Sequence, residues 1–187
     1  MGYFGEKLLI TGGTGSFGHA FTQHVLQRKL FDEIIIYSRD EMKQWEMKNL
    51  YSTQENISFI IGDVRDEQRL VQAFRGVDFI VHAAATKIVP TAETNPSECI
   101  KTNVMGALNV AQAATLSGVK KVVALSTDKA SSPINLYGAS KLASDKVFIA
   151  SNSKKELCTK FSVVRYGNVL GSRGSVVPFF RSIPENE

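Results

Sequence analysis

Cysteine and histidine are scarce in this sequence, which has two cysteines and three histidines among 187 residues. Cys99 and Cys158 are far apart in the chain and lack the spacing of metal ligands, so we expect free thiols rather than a disulfide. His19 and His24 have no neighbouring ligand in the sequence. The sequence therefore predicts no metal site.

Long apolar runs and a dominant charge of one sign are also missing. No apolar run reaches membrane-spanning length, and the N-terminus has no basic segment followed by an apolar signal core. The 22 basic and 18 acidic residues are interspersed, so the net charge of +4 does not single out nucleic acid. A binding site for a nucleotide diphosphate accounts for local positive charge as well as a nucleic-acid surface does. We expect a cytoplasmic protein that binds neither membrane nor nucleic acid.

Short β-branched runs alternate with helical patterns along the whole chain. The hydrophobic content of 43% supports one folded domain over residues 1–187. Strands are predicted at residues 8–10, 33–37, 57–61, 78–81, 121–125 and 161–165, and helices follow from residue 16, at 42–51, at 96–116 and at 137–150. This alternation predicts an α/β fold, a Rossmann-like doubly wound parallel sheet.

A glycine cluster follows the first predicted strand. Gly13, Gly15 and Gly18 fit G-x-G-x-x-G, in which glycines permit a tight turn and close approach of the backbone to a pyrophosphate. The helix that opens near Ser16 directs its free N–H groups and positive dipole end toward the same group. The context of strand, turn and helix predicts a dinucleotide-binding site.

The end of the second strand indicates which dinucleotide binds. Ser38 and Arg39 stand where an NAD site usually has an acid for the ribose 2′-OH, and Lys43 follows one turn into the next helix. These residues favour NADP over NAD. In the alternative interpretation Arg39 is merely solvated, and Asp40 caps the helix in either case.

Other residues are predicted at the same edge of the sheet. Asp63 is placed to accept a hydrogen bond from an adenine amino group, and the small residues 83–85 let a ligand lie against the backbone. His82, in an apolar run, is interpreted as a core histidine. Asn103 interrupts the inner face of the helix at 96–116, so it either pins a neighbouring loop or meets the cofactor.

Tyr137 and Lys141 form Y-x-x-x-K, and their i, i+4 spacing puts both on one helical face. A lysine ammonium near the phenol is expected to lower the tyrosine pKa toward neutral pH, and Thr127 supplies a hydroxyl to the same reacting oxygen. Together with the glycine motif, these residues predict hydride-transfer chemistry.

Asp128 and Lys129 follow Thr127 directly and indicate elimination beyond simple oxidation. Oxidation to a 4-keto sugar acidifies the C5 proton; a base then removes it, an acid protonates the departing C6 hydroxyl, and the stored hydride returns to C6. Lys129 as base needs a lowered pKa, and Asp128 as acid needs a raised one. The alternative is a salt bridge on a surface loop.

Two sets of motifs carry a resemblance to known families. Thr11, Gly12, Gly15 and Gly18 fit T-G-x-x-G-x-x-G, which resembles the extended short-chain dehydrogenase/reductase superfamily. Residues 10–17, 37–41, 62–66, 82–85 with Lys87, 101–103, 125–130, 133–137 and 161–180 together resemble the inverting UDP-N-acetylglucosamine 4,6-dehydratases of pseudaminic acid biosynthesis. The resemblance covers nearly the whole chain.

The resemblance implies an NADP that is recycled within each turnover and UDP-N-acetylglucosamine as the substrate. It assigns Lys129 as base, Asp128 as acid, and Tyr137 with Lys141 as the oxidation pair, beside Thr127. Some capsule-pathway relatives lack the tyrosine, so its presence favours the pseudaminic branch. The helices at 95–116 and 137–150 commonly pair subunits in this superfamily, which implies a homo-oligomer.

The motifs and the resemblance give two residue sets. The expected cofactor-binding residues are Gly12, Thr14, Gly15, Ser16, Phe17, Gly18, Ser38, Arg39, Asp40, Glu41, Lys43, Asp63, Val64, Ala83, Ala84, Ala85, Lys87, Asn103, Tyr137 and Lys141. The expected substrate-binding residues are Lys87, Asn168, Ser175, Val176 and Val177.

The chain departs from this family in its length. Family members are much longer, and their C-terminal lobe closes over the uridine diphosphate, so we expect that lobe to be largely missing here. Its loss removes groups that position the substrate. Two alternatives therefore stay open: a non-catalytic NADP-binding module, and a sugar-nucleotide 4-epimerase or reductase.

Overall fold

In the computed structural model, which describes residues 3–153 and 158–172, strands and helices alternate along the chain. The strands are β1 (Tyr3–Thr11), β2 (Phe31–Ser38), β3 (Ile57–Ile61), β4 (Phe79–His82), β5 (Lys121–Leu125) and β6 (Lys160–Val164). The helices are α1 (Ser16–Gln27), α2 (Glu41–Leu50), α3 (Glu67–Ala73), α4 (Val89–Thr94), α5 (Pro96–Ile100), α6 (Gly106–Leu116) and α7 (Leu136–Ser151).

The six strands form one sheet in the order β3-β2-β1-β4-β5-β6, and every pair is parallel. This is the doubly wound order of the Rossmann fold, so the predicted fold class is confirmed. The order reverses between β1 and β4, and ligands of such sheets bind in the crevice outside the carboxyl ends of the strands at that point.

Helices cover both faces of the sheet, which is why its central strands read as continuous apolar runs. Leu9 and Ile35 pack with Val110 of α6 in one buried cluster. Leu8 and Ile34, on the opposite face, pack with residues that include Met47 of α2. The two clusters hold the strand ends, and therefore the loops that follow them, in fixed positions.

The helix predicted at residues 96–116 is interrupted by a π-helical segment, Lys101–Met105, between α5 and α6. The wider turn of this segment shifts the phase of the helix. The spacing of apolar residues predicts one inner face that includes Ile100, Ala107, Leu108 and Ala114. Ala107 and Ala114 are buried, as predicted, but Ile100 and Leu108 are exposed. Pro90 and Pro96 indicate a turn just before this helix, and that prediction is wrong, because α4 lies between them and Pro90 stands in its first turn.

Two further predictions concern the thiols and the membrane. Cys99 is buried, Cys158 is exposed, and both are free thiols, as expected. Within residues 3–153 and 158–172, no helix has both the length and the apolar character needed to cross a bilayer.

Candidate active site

A cleft of about 720 Å³ runs along the carboxyl edge of the sheet. Its lining extends from Gly15 and Arg39, beyond β1 and β2, to Tyr137 and Asn168, beyond β5 and β6. The parallel sheet places the ends of all these strands at one edge. The cleft therefore crosses the switch point between β1 and β4.

The glycine turn brings main chain into close contact around the cleft. Gly12 has a φ of +66°, and a Cβ there would lie 2.7 Å from the backbone nitrogen of Ala84. A Cβ on Gly18 would lie 2.0 Å from the carbonyl oxygen of Gly13. Gly15, at the N-cap of α1, provides no side-chain cap. The turn thus presents backbone to the cleft without side-chain obstruction, which fits a dinucleotide pyrophosphate.

The end of β2 carries charges of both signs. Asp40 caps α2 by accepting from the backbone N–H of Lys43 at 3.0 Å, as predicted, and it also accepts from Lys43 Nζ at 2.5 Å. The hydrogen bond from the Lys43 side chain lowers the pKa of Asp40. Ser38 is buried and accepts from Gln44 Nε2 at 3.1 Å. Arg39 is the exposed cation of this group, with 62% of its side chain accessible.

Asp63 lies near Arg39 in the lining of the cleft. Its Oδ2 accepts from Nε and Nη2 of Arg65, at 2.9 and 2.7 Å, and lies 3.7 Å from Arg39 Nη1. Partial burial acts to raise the pKa of Asp63, but the hydrogen bonds from Arg65 outweigh it and the pKa is lowered. Asp63 is therefore an ionised carboxylate at the place predicted for adenine.

His82 and Asn103 are both structural in this chain. His82 is buried with its Nδ1 2.8 Å from Thr11 Oγ1, and burial lowers its pKa to about 3, so the predicted core role is confirmed. Asn103 donates to the carbonyl oxygen of Thr86 and accepts from its N–H, at 2.9 and 2.8 Å. Of the two roles left open for Asn103, the structure shows the one that pins a loop.

Thr127 is buried at the end of β5 and connects the groups expected to carry the reaction. Its Oγ1 donates to Asp128 Oδ1 at 2.9 Å, and a hydrogen bond joins Thr127 to Tyr137. The Cβ that Gly138 lacks would lie 2.2 Å from the carbonyl oxygen of Lys129. This close approach brings the first turn of α7 against the 3₁₀ turn Asp128–Ala130.

Lys129 lines the cleft and has two acceptors. Its Nζ donates to Asp128 Oδ1 at 3.2 Å and to Asn168 Oδ1 at 3.0 Å. The exposed Asp128 does not itself line the cleft. Hydrogen bonds from Thr127 and Lys129 lower the pKa of Asp128, whereas the acid role predicted a raised pKa. The pair is thus a salt bridge, as the alternative interpretation had it, but its lysine lines the cleft.

Tyr137 is partly buried, and Lys141 is almost fully buried. Burial raises the pKa of Tyr137 and the hydrogen bond to Thr127 opposes it, so the predicted lowering of this pKa is wrong. Lys141 is 3% exposed, and burial lowers its pKa to about 8 although Asp145 acts in the opposite direction. The desolvation of both groups outweighs the attraction that the spacing alone suggested.

Most of the predicted residues come together in the cleft. Those that line it are Gly12, Thr14, Gly15, Ser16, Phe17, Ser38, Arg39, Asp40, Lys43, Asp63, Val64, Ala83, Ala84, Ala85, Lys87, Thr127, Lys129, Tyr137 and Asn168. Those that do not are Gly18, Glu41, Asn103, Asp128 and Lys141. The predicted substrate residues Ser175, Val176 and Val177 lie outside the described residues.

Sequence reasoning missed several lining residues. Val89 and Pro90 of α4 border the cleft because the predicted turn is a helix. Tyr166 and Gly167 line it beside Asn168. Their position between the last predicted strand and Asn168 was the signal that could have identified them.

Comparison with known proteins identifies a matching family and several similar relatives. Residues 8–187 match the family described as polysaccharide biosynthesis protein. The chain is 58% identical, over 96% of its length and 54% of the relative's, to UDP-N-acetylglucosamine 4,6-dehydratase (inverting) of Campylobacter jejuni subsp. jejuni. It is also 49% identical, over 94% of its length and 52% of the relative's, to UDP-glucose 4-epimerase of Rickettsia bellii.

Solved structures share the fold. The X-ray structure of Pen from Bacillus thuringiensis has a TM-score of 0.95 and 39% identity, over 100% of this chain and 60% of that one. The structure of DesIV, a dTDP-glucose 4,6-dehydratase from Streptomyces venezuelae with NAD and TYD bound, has a TM-score of 0.74 and 30% identity, over 84% of this chain and 55% of that one. The chain spans about half the length of the curated relatives it matches.

Proposed function

The chain belongs to the polysaccharide biosynthesis protein family, with an extended short-chain dehydrogenase/reductase fold, and from that premise we propose that it carries the chemistry of a UDP-N-acetylglucosamine 4,6-dehydratase, a lyase that inverts C5. One observation supports this above the others. Thr127, Lys129 and Tyr137 line one part of the cleft, which continues to the glycine turn. Groups for oxidation and for elimination are thus close enough to act on one bound sugar.

We propose NADP as the resident cofactor. Asp40, the acid nearest the end of β2, is committed to capping α2 and to Lys43, whereas Arg39 is exposed and lines the cleft. A free guanidinium suits the 2′-phosphate of NADP, and a free carboxylate would suit the 2′-hydroxyl of NAD. The chemistry that bound NADP supplies is reversible acceptance of a hydride, taken from C4 and returned at C6.

Tyr137 takes the proton of the sugar C4 hydroxyl while Thr127 holds the same oxygen. The position of Thr127 beside Tyr137 supports this role: when the Thr127 hydroxyl turns from Asp128 to the phenol oxygen, its proton favours the phenolate that burial alone disfavours. Lys141 lies one helical turn beyond Tyr137 in the buried wall. Its positive charge favours the phenolate electrostatically once the sugar has displaced water from the cleft.

Lys129 must lose a proton to act as the base, and Asp128 must gain one to act as the acid. Their salt bridge holds a proton that can make both changes at once. Transfer of that proton from Lys129 Nζ to Asp128 breaks an N–H bond, forms an O–H bond and leaves a neutral amine beside a carboxylic acid. Exclusion of water by a bound sugar favours the uncharged pair. Lys129 then removes the C5 proton, Asp128 protonates the departing C6 hydroxyl, and water leaves.

A 4-epimerase is the second candidate function, and the identity to UDP-glucose 4-epimerase of Rickettsia bellii favours it. That reaction oxidises and reduces the same carbon, so it needs no base at C5 and no acid at C6. Lys129 in the cleft, with Asn168 as a second acceptor, supports the dehydratase instead.

The proposal extends to assembly, pathway and compartment. Leu108 of α6 and Ile149 of α7 are exposed apolar residues on the two helices that border a shallow apolar groove. We propose that this face pairs two copies of the chain, because burial of such a face is favourable. Tyr137 supports the pseudaminic acid branch, and a sugar-nucleotide substrate supports the cytoplasm as the compartment.

Product analysis tests the proposal. The purified chain is incubated with UDP-N-acetylglucosamine in D₂O and the products are followed by NMR. A 4-keto-6-deoxy sugar with inverted, deuterated C5 is expected, because inversion delivers a solvent-derived proton to the face of C5 opposite the one from which Lys129 removed the original. A C4 epimer without deuterium at C5 would favour the epimerase. Bound dinucleotide with unchanged substrate would favour a non-catalytic NADP-binding module.

A further inference from the structure

Arg65 lies on the loop between β3 and α3 and forms hydrogen bonds with Asp63. Besides the two bonds from its guanidinium to Asp63 Oδ2, its backbone N–H donates to Asp63 Oδ1 at 3.0 Å. The remaining guanidinium nitrogen, Nη1, donates to Glu98 Oε2 at 2.6 Å. Both oxygens of the Asp63 carboxylate are therefore engaged by one residue.

Glu98 completes this group of charges. It lies on α5 and accepts from Lys101 Nζ at 3.1 Å as well as from Arg65. Asp63, Arg65, Glu98 and Lys101 thus alternate in sign along a connected network. The network is neutral without any contribution from Arg39.

Arg39 lies next to this network but makes only a long ion pair with it. Its Nη1 is 3.7 Å from Asp63 Oδ2, beyond hydrogen-bond distance, and its side chain is mostly exposed. Asp40, the acidic residue next to it in the chain, is held by Lys43. The one carboxylate within ion-pair distance of Arg39 among the described residues is therefore already neutralised by Arg65.

We propose that Arg65 is a specificity-determining residue for the dinucleotide, because its clamp on Asp63 keeps that carboxylate from capturing Arg39 and so leaves the Arg39 guanidinium available to a 2′-phosphate. This inference rests on the proposed preference for NADP. Without the clamp, the charge of Asp63 attracts Arg39 into a close pair. A 2′-phosphate must then compete with a carboxylate for the same donors.

The inference is tested by dinucleotide binding, which needs no turnover. Dissociation constants of NADPH and NADH are measured by fluorescence titration for the unsubstituted chain, Arg65→Gln, Arg39→Gln and Asp63→Asn/Arg65→Gln. The readout is the ratio of the two constants, which cancels effects on the shared adenine and pyrophosphate contacts. Lys48→Gln, which removes one exposed positive charge at the far end of α2, controls for net charge.

Arg65→Gln is expected to reduce the preference for NADPH about tenfold, the size of one lost charge-assisted hydrogen bond. Asp63→Asn/Arg65→Gln is expected to restore the preference, because the capturing charge is gone and the asparagine oxygen still accepts from the backbone N–H of residue 65. Lys48→Gln is expected to keep it. Thermal unfolding followed by circular dichroism verifies that each variant is folded.

Three results would overturn the inference, and they differ in what else they affect. A preference lost in Arg39→Gln but kept in Arg65→Gln refutes the clamp and leaves the proposed NADP preference intact. A double variant that stays as poor as Arg65→Gln shows that Arg65 acts by its own charge. An unsubstituted chain that binds NADH as tightly as NADPH refutes the proposed cofactor and the clamp together.

Discussion

Lys129 is the residue on which the proposed chemistry depends most. Its amine is shared between the carboxylate of Asp128 and the amide oxygen of Asn168, and it lines the cleft beside Tyr137. An amide oxygen can hold either the ammonium or the neutral amine, because both retain N–H donors. Asn168 therefore fixes the position of Lys129 without fixing its charge.

Lys129→Ala is expected to lower the rate of dehydration by a factor of about 10² or more, because general base catalysis contributes on that scale. NADPH binding is expected to stay unchanged, because the glycine turn and Arg39 are untouched. Lys121→Ala, at the opposite end of β5, is the matched control. Dehydration by Lys129→Ala at the unsubstituted rate would remove Lys129 from the mechanism.

Lys141 lowers the free energy of unfolding, because folding buries its charged ammonium group. Its pKa is about 8 when folded, against 10.5 for an exposed lysine. Between these values the unfolded chain binds the proton that the folded chain has released, so stability rises with pH there. The destabilisation is complete below the folded pKa and disappears above the unfolded one.

Lys141→Met is therefore expected to stabilise the chain by about 1–3 kcal/mol near neutral pH while it abolishes turnover. Urea unfolding of both proteins over a pH series measures the difference. The gain should shrink as the pH rises through the folded pKa and should vanish near the unfolded one. A gain that grows with pH would contradict the burial account.

At this scale the sequence predicted which residues meet but not their ionisation. The motifs placed Tyr137 and Lys129 in one cleft because both follow or flank the end of β5. The expected shifts in the pKa of Tyr137 and of Asp128 were both in the wrong direction. Burial and neighbouring donors determine those values, and neither can be read from spacing.

The turn between β1 and α1 shows how far an element can be predicted. Its glycines follow from the motif, and the structure gives the reason in contacts: the helix passes so close to the turn that a Cβ on Gly18 would overlap the Gly13 carbonyl. The π-helical segment 101–105 had no comparable signal. Its extra width depends on packing of α5, α6 and α7 against each other, which periodicity does not report.

Gly18→Ala is expected to destabilise the chain by about 2 kcal/mol or more and to weaken NADPH binding, because the helix must move away from the turn. Gly167→Ala is the matched control, since a Cβ there would find only Asp128 Oδ2, at 3.9 Å. Chemical unfolding and fluorescence titration measure both effects. Equal stability of the two variants would show that the turn tolerates the movement.

The whole molecule is organised by its sheet, and this level was the most predictable. Parallel strands joined by helices bring all carboxyl ends to one edge, so residues more than a hundred positions apart, such as Gly15 and Tyr137, line the same cleft. The order of the strands follows from the doubly wound pattern. The exposure of Leu108 on α6 was not predicted, because the apolar spacing assumes one continuous helix, whereas the structure interrupts it at residues 101–105.

Leu108→Glu is expected to convert a homodimer into a monomer, because it places a charge at the proposed contact between copies. Size-exclusion chromatography with light scattering measures the mass. Ile134→Glu is the control, because Ile134 is equally apolar and 97% exposed but lies away from the groove between α6 and α7. A monomeric unsubstituted chain would refute the proposed assembly.

The most direct test of the central claim is the path of the hydride. UDP-N-acetylglucosamine carrying deuterium at C4 is incubated with the chain and NADP, and the product is analysed by deuterium NMR. Oxidation, elimination and return of the hydride in one cleft predict that the label appears in the C6 methyl group. Label that stays at C4, whether in an epimerised or an unchanged sugar, would contradict the account.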